Sequence, residues 1–319
     1  MSAAAYARGW RAIVLPRLRI LVLLSGAMAI AGALGAWFWV FDLLSHFIAW
    51  YALLSLLLAL LLSGYRDYRW AAAAITLAIL QAAQPLAWYL PAARGATEGP
   101  RCRVLLANVL SSNHDSAAFL RLVDETDPDI ICVQEVTGRW ADALETLETR
   151  YPTRLLAPRE DNFGIAVFSR MPGGDPALVF QRDHGVPAIE MVFQLGDSSV
   201  RLLNIHALPP LGKTLAARRN AQLDAAAAWV NSAGGPAVLI GDLNITMYSP
   251  VYRRFARAAN LRNAREGHGA AGTWPAWLPI MRLPIDHVLL HGKIESVSCN
   301  AIKNGASDHR SLLVDLVAE

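Results

Sequence analysis

Charge is scarce in this chain of 319 residues: Asp, Glu, Lys and Arg make up 17%, against 54% hydrophobic residues. That balance excludes a wholly soluble protein of ordinary composition. Cysteine is scarcer still. Cys102, Cys132 and Cys299 are an odd number without metal-ligand spacing, which excludes a cysteine zinc site and a disulfide-dense scaffold. Cys132 sits in the apolar run Ile130-Ile131-Cys132-Val133 and reads as a core residue, while a Cys102–Cys299 bridge is open to a domain outside the cytoplasm. Internal repeats and low-complexity tracts are missing apart from an alanine bias, so repeat architectures are excluded.

The shortage of charge is local. Residues 20–41 carry no charge, 48–64 are almost pure Leu and Ala, and 70–90 are apolar apart from Thr76, Gln81 and Gln84, with Pro85 as a kink. Each run has about the length that crosses a hydrocarbon core of roughly 30 Å, so about three transmembrane helices are expected. A transmembrane span is expected here over the alternative of a cleaved signal peptide: the first run is too long, lacks a clear small-residue cleavage site and is followed directly by a second. Arg8, Arg11, Arg17 and Arg19 precede the first span, and Arg66 and Arg69 separate the second from the third. The turn between the first two holds only Asp42 and His46. Positive charge stays inside, so the N-terminus is cytoplasmic and three crossings carry everything after Leu90 to the far side.

A basic patch for nucleic acid is also missing. The net charge of +3 comes from residues 1–98, where seven arginines face Asp42, Asp67 and Glu98. The remainder carries 22 basic and 23 acidic residues, unlike a domain that wraps a polyanion. The pairs Arg218-Arg219 and Arg253-Arg254 read as solvated helix faces.

Residues 91–99 are rich in small residues and form a linker, giving a membrane anchor over 1–98 and a second domain over 99–319. The second domain alternates elements. Strands are expected at 103–109, 130–136, 164–169, 188–195, 200–206, 237–240, 285–290, 296–301 and 311–317, and helices at 115–126, 139–149 and 213–231. Mixed hairpins and helical crossovers point to two packed sheets with helices outside, an α/β sandwich.

Polar residues recur where these strands end: Asn108, Gln134-Glu135, Asn204-Ile205-His206, Asp242 with Asn244, and Asp286 with Asp308-His309. Carboxylates, amides and imidazoles held rigidly can bind a hard cation, orient water and grip phosphate. Singly, several have plainer readings. Asp242 alone fits a helix N-cap and Asp308 a turn; Gln134 fits a partner for backbone groups, Arg170 a strand terminator paired with an acid, and His287 a half-buried strand residue. Asn162 fits a turn or a phosphate contact equally, and His114 and His184 have no evident partner.

In order, the blocks Leu105-Leu106-Ala107-Asn108, Val133-Gln134-Glu135, residues 164–170, Asn204-Ile205-His206, Gly241-Asp242-Leu243-Asn244, Ile285-Asp286 and Ser307-Asp308-His309 resemble the endonuclease/exonuclease/phosphatase superfamily across essentially all of 102–319. The resemblance implies a four-layer α/β sandwich and hydrolysis of a phosphate ester by direct water attack with Mg²⁺ or Mn²⁺. It assigns the metal to Glu135, helped by Asn108 and Asp308. It assigns water activation to Asp242, phosphate contacts to Asn244 and His206, and proton transfer or phosphate contact to His309, held by Asp286. Whether Asp242 or His309 is the base stays open. Abasic-site endonucleases carry an acid two positions after the Asn108 equivalent, where this chain has Leu110, and a tyrosine where it has His206. That histidine is shared with deoxyribonucleases and sphingomyelinases. Ahead of Asp286 lies Thr273-Trp274-Pro275-Ala276-Trp277-Leu278-Pro279-Ile280-Met281. Trp274 reads as a core plug; Trp277 to Ile280 read as core or as a lip meeting lipid.

The chain thus resembles bacterial membrane-anchored members of the superfamily. A lipid-linked phosphate, pyrophosphate or phospholipid headgroup at the cell membrane is the leading substrate expectation. A membrane-anchored nuclease and a phosphate-binding module that has lost catalysis are the rivals.

Overall fold

The computed structural model describes residues 3–91, 98–180, 185–232 and 234–318; the middle of the expected linker and His184 lie outside them. The chain divides into two compact units, Met1–Ala87 with Tyr248–Arg253, and Trp88–Met247 with Arg254–Glu319.

The first unit is helical: α1 (Ala3–Ala33), α2 (Trp39–Ser45), α3 (Ile48–Gly64) and α4 (Tyr68–Ala87). The first apolar run is not one helix. α1 begins within the arginine-bearing stretch and stops at Ala33, and residues 39–41 belong to α2. At Gly35 an added Cβ would lie 2.6 Å from the Asp42 Cα, so only glycine lets the chain fold back this closely. Asp42, expected in an open turn, is helical and buried. Trp10–Ala33 and Tyr68–Ala87 are each long and apolar enough to cross a membrane, whereas α2 and α3, bent by 61°, qualify only as a pair. Arg19 Nε donates to Asp67 Oδ2 at 2.8 Å, tying α1 to the α3–α4 turn. Further along, Ser55 Oγ donates to Gln81 Oε1 at 2.8 Å and lies 2.9 Å from Ser25 Oγ. Gln81 Nε2 donates to Ser25 Oγ at 3.2 Å. Three helices therefore share one buried polar network, the kind that holds helices in register within lipid.

The second unit holds two six-stranded sheets. Its elements run β1 (Arg101–Asn108), α5 (Ser116–Thr126), β2 (Ile130–Gln134), α6 (Gly138–Leu144), β3 (Thr153–Ala157), β4 (Ile165–Ser169), β5 (Ala177–Phe180), β6 (Pro187–Leu195), β7 (Ser198–Ile205), α7 (Lys213–Asn231), β8 (Ala237–Asp242), α8 (Pro250–Ala258), β9 (Arg262–Asn263), β10 (Asp286–His291), β11 (Ile294–Ile302) and β12 (Ser311–Ala318). One sheet is ordered β11-β12-β1-β2-β4-β3 and the other β5-β6-β7-β8-β10-β9. In each, two neighbouring strands are parallel: β1 with β2, joined through α5, and β7 with β8, joined through α7. The remaining pairs are antiparallel.

Alternation along the strands explains the layering. Val104, Leu106, Ile130, Cys132, Ile165 and Val167 face the second sheet, meeting Ile189, Phe193, Leu202, Val238 and Ile240. Their neighbours Leu105, Ala107, Ile131, Val133, Ala166 and Phe168 pack outward with Phe119, Val123, Trp140 and Leu144 of α5 and α6. Strands covered on both faces read as unbroken apolar runs, which is why the sequence marks them so clearly. On α7, Ala216, Arg219, Leu223, Ala226, Ala227 and Val230 make the buried stripe. The architecture is the expected α/β sandwich.

The local differences are instructive. β3, β5 and β9 are additional to the expected strands, α8 supplies the helix face read at Arg253-Arg254, and the helix expected over 139–149 is α6 followed by a 3₁₀ turn at Glu145–Leu147. All three cysteines are buried and free, so the Cys102–Cys299 bridge does not form.

Candidate active site

The topology brings the chemistry to one edge. Asn108 ends β1, Gln134 ends β2 with Glu135 next, Ile205 ends β7 with His206 next, and Asp242 ends β8. Asp286 starts β10 directly opposite Asp242, and Asp308 and His309 lead into β12, the antiparallel partner of β1. Carboxyl ends of parallel strands are where α/β sheets bind ligands. Here both sheets contribute, and the result is a cleft of about 520 Å³ lined by Glu135, Asn162, Phe163, His206, Asp242, Asn244, Trp274, Asp308 and His309 among others.

Gln134 couples the sheets beneath this cleft. Its Nε2 donates to the Ile205 carbonyl at 2.7 Å and to Asn204 Oδ1 at 3.2 Å, and its Oε1 accepts from the Asp242 N–H at 2.9 Å. Gly241 permits the approach: with φ at +151°, an added Cβ would fall 1.8 Å from the Ile205 carbonyl oxygen. Glu135, Leu110 and Asn244 all have positive φ, at 62°, 63° and 50°, a backbone state common where structure is constrained for function.

Glu135 is fixed at both oxygens, accepting from Asn108 Nδ2 and from the Ser111 N–H at 2.9 Å each. Asn108 Oδ1 is taken by the Leu110 N–H at 3.0 Å, so Asn108 orients Glu135 with its amide nitrogen. Asp242 Oδ1 accepts from the Asn244 N–H at 2.9 Å, while Oδ2 lies 3.7 Å from Nε2 of both His206 and His309. Asp242 is thus a strand end with a following turn rather than a helix cap. Asn244 Nδ2 donates to the Ala207 carbonyl at 2.9 Å. Asp286 lies behind His309 rather than in the cleft wall, with its Oδ2 2.9 Å from His309 Nδ1. The backbone N–H of His309 donates to Ser307 Oγ, which in turn donates to the Asn108 carbonyl at 2.8 Å.

Burial sets the protonation pattern. Burial, reinforced by the charge of Asp286, pushes Asp242 up to about 8. His309 goes the other way: burial opposes its charge, but Asp286 and Asp242 outweigh it and raise it to about 10. Asp286 is likewise buried, yet the charge and hydrogen bond of His309 hold it below the usual carboxylate range. Burial lowers His206 to about 4, so at neutral pH it is an uncharged imidazole. The cleft therefore has an imidazolium, a neutral imidazole and a carboxyl group near its working range.

The donor set fits a hard cation. Glu135 faces the cleft with lone pairs to spare, and Asp308 Oδ1 is buried without a hydrogen-bond partner. Oxygen-rich sets of this kind suit a divalent cation that keeps several waters. Ligand atoms of Asp242, Asp286 and His309 also lie within 4.8 Å of one another. His309 Nδ1 is committed to Asp286, whereas Glu135 and Asp308 present carboxylate oxygens that would hold such an ion.

Several neighbours escaped the sequence reading. Trp274 is no core plug: it lines the cleft, its Nε1 donates to Asp308 Oδ2 at 3.0 Å, and its ring centroid is 6.5 Å from that of His309. Phe163 packs on His206 with centroids 5.1 Å apart. Arg219 is buried, not solvated, and its Nη1 donates to the Asn244 carbonyl at 3.1 Å. Asn304 Nδ2 donates to the Asn108 carbonyl at 2.8 Å. Asn162 also lines the cleft and accepts from Ser111 Oγ at 2.7 Å. His287 is wholly buried against Asn263 and the Ile245 carbonyl, away from the cleft wall. Arg170 pairs with Asp127 and Asp129, and Arg139 bonds His114.

Comparison with known proteins agrees with this geometry. The model of the Endonuclease/Exonuclease/phosphatase family matches residues 105–309. No curated protein sequence matches the chain. Among solved structures, TDP2 of D. rerio complexed with single strand DNA product is 14% identical, with a TM-score of 0.58, covering 68% of this chain and 98% of that one. An endonuclease/exonuclease/phosphatase from Beutenbergia cavernae is 20% identical, with a TM-score of 0.56 and coverage of 69% and 72%. The human Nocturnin catalytic domain with bound sulfate anion is 20% identical, with a TM-score of 0.55 and coverage of 70% and 97%. Such distant likenesses establish the fold. The family match runs through both sheets and takes in every strand end at the cleft, so the chain belongs to the endonuclease/exonuclease/phosphatase family and is a hydrolase of phosphate esters.

Proposed function

We propose that the protein is a membrane-anchored phosphoesterase that cleaves a phosphate ester or pyrophosphate on a lipid-linked substrate, with Mg²⁺ and with its catalytic domain outside the cytoplasm. The observation that carries the chemistry is the meeting of Glu135, Asp242, His206 and His309 in one cleft. A cation held by Glu135 and Asp308 would supply charge neutralisation for a phosphate oxygen and the departing alkoxide. Asp242, once ionised, takes the proton of the attacking water. His309 is the weaker candidate base: Asp286 keeps it protonated, so it donates to a non-bridging oxygen. His206, uncharged, and Asn244 complete the phosphate contacts.

The lipid half of the proposal is supported by the apolar helices and the near-neutral catalytic domain. Confinement to a bilayer raises the effective concentration of a membrane-bound substrate. Support for three crossings comes from the bent α2–α3 pair, which is apolar and long enough to count as one span beside α1 and α4.

The second reading is a membrane-anchored nuclease, favoured by likeness to a fold solved with a DNA product. The purified full-length protein with Mg²⁺, assayed against a polyprenyl pyrophosphate, a phospholipid and duplex DNA, separates the two. Turnover of the lipid substrates supports the proposal; turnover of DNA alone defeats it.

A further inference from the structure

The catalytic unit shows few large apolar side chains to solvent among the described residues, and most sit on two loops. Leu211 is 76% exposed, Trp277 73% and Ile280 79%. Among the described residues from 101 onward, the other exposed large hydrophobic side chains are Trp274 and Leu178, at 37% and 38%. Apart from Leu178, all belong to two loops, the one between β7 and α7 and the one that leads into β10. Both loops reach the cleft, through Pro209 and Trp274 respectively. Leu211 thus follows one cleft residue by two positions, and Trp277 follows the other by three.

These side chains are held out by ordered backbone rather than by fraying. In the first loop the Leu211 N–H donates to the Pro209 carbonyl at 2.8 Å and the Gly212 N–H to the Pro210 carbonyl at 3.0 Å. In the second, the Ala276 N–H donates to the Asp308 carbonyl at 2.6 Å, beside His309. Arg282 Nη2 donates to the Ala276 carbonyl at 2.6 Å, and the Met281 N–H to the Leu278 carbonyl at 3.0 Å. A scaffold that fixes Leu, Trp and Ile in water is unfavourable unless something covers them.

We infer that these two loops form an interfacial rim that dips Leu211, Trp277 and Ile280 into a lipid surface and brings the mouth of the cleft to the headgroup layer. Three features select lipid over a protein partner. The chain carries its own helices apolar and long enough to cross a membrane, so a bilayer is always within reach. Exposed Lys213 follows Leu211, and Arg282 follows Ile280, so cations flank the apolar tips as they do where segments lie on anionic lipid. The rim also borders a phosphate site, where a headgroup would arrive as the tips insert. This inference rests on the proposed lipid-linked substrate and adds how that substrate is reached.

The test uses the full-length chain reconstituted into vesicles of phosphatidylcholine and phosphatidylglycerol. Its native cysteines are buried, so single cysteines can be labelled with an environment-sensitive fluorophore. Leu211→Cys and Ile280→Cys report on the rim. Asp197→Cys, in the β6–β7 turn, lies at the far end of β7, about 25 Å away by strand rise. Labels at 211 and 280 should shift to the blue and lose emission roughly twofold or more when doxyl-labelled lipid is present, while the label at 197 does neither. Equal behaviour at all three sites overturns the inference, as does a blue shift that doxyl lipid leaves unquenched, which would place the tips against protein. Unchanged melting temperatures of the labelled chains confirm that each folds. Quenching without turnover of lipid-linked phosphate upholds the rim and refutes the substrate reading; turnover without quenching refutes the rim.

Discussion

At the scale of single residues, the account rests on unequal roles for two neighbours 3.7 Å apart, Asp242 and His309. Asp242→Asn removes the proton acceptor with little change in volume. Turnover should fall about a thousandfold while the denaturation midpoint stays near that of the parent; retained activity would contradict the role. The pH profile follows from the same pair. Asp242 acts only when ionised, so the rate should climb as pH rises through about 8, and His309 acts only when protonated, so it should fall beyond about 10. These are properties of the coupled pair, and a bound cation moves the rising limb to lower pH without changing its sign. Removing the charge that raises His309, in Asp286→Asn, should bring the falling limb to lower pH; an unmoved limb would contradict the pairing. The sequence exposed these residues because each occupies a short ordered block. It hid Trp274 and Arg219, whose roles depend on contacts with Asp308 and with the Asn244 carbonyl that no local pattern encodes. It could not orient the Asn108 amide either, since that orientation is decided by Glu135 on one side and the Leu110 N–H on the other.

At the scale of elements, the strand ends matter more than the strands. Gln134 joins β2 to the ends of β7 and β8 through bonds to the Ile205 carbonyl and the Asp242 N–H. Gln134→Leu leaves both groups buried and unsatisfied, so it should destabilise the protein by about 3 kcal/mol, read as a lower urea midpoint, and reduce turnover by misplacing Asp242. A variant as stable and active as the parent would show that the coupling is dispensable. Strands such as β2, β4 and β8 were legible because burial on both faces leaves an unbroken apolar run. β5 and β9 were not, being short and at sheet edges, where one neighbour is missing and side-chain pattern is weakly constrained. α8 was delimited less clearly because it is only nine residues long and follows directly on a turn, although Val251, Tyr252 and Phe255 recur on one buried face opposite its arginines. The first membrane run misled for a different reason: hydropathy is blind to the backbone approach of Gly35 to Asp42 that ends one helix and starts another.

At the scale of the whole molecule, the number of crossings decides which compartment the active site meets. Three crossings put it outside the cytoplasm; two, with α2 and α3 as a re-entrant pair, would return it inside. Alkaline phosphatase fused after Leu90 should be active and a green fluorescent protein fused there should be dark, and the reverse would contradict the proposed location. Cation dependence tests the centre of the account more directly than topology does. Full-length protein stripped with a chelator should lose phosphate-ester hydrolysis and regain it as Mg²⁺ is added back. Glu135→Gln should need at least about tenfold more Mg²⁺ for half-recovery. Hydrolysis that survives chelation, or a Glu135→Gln titration identical to that of the parent, would contradict the claim that these strand ends build a cation-dependent phosphoesterase.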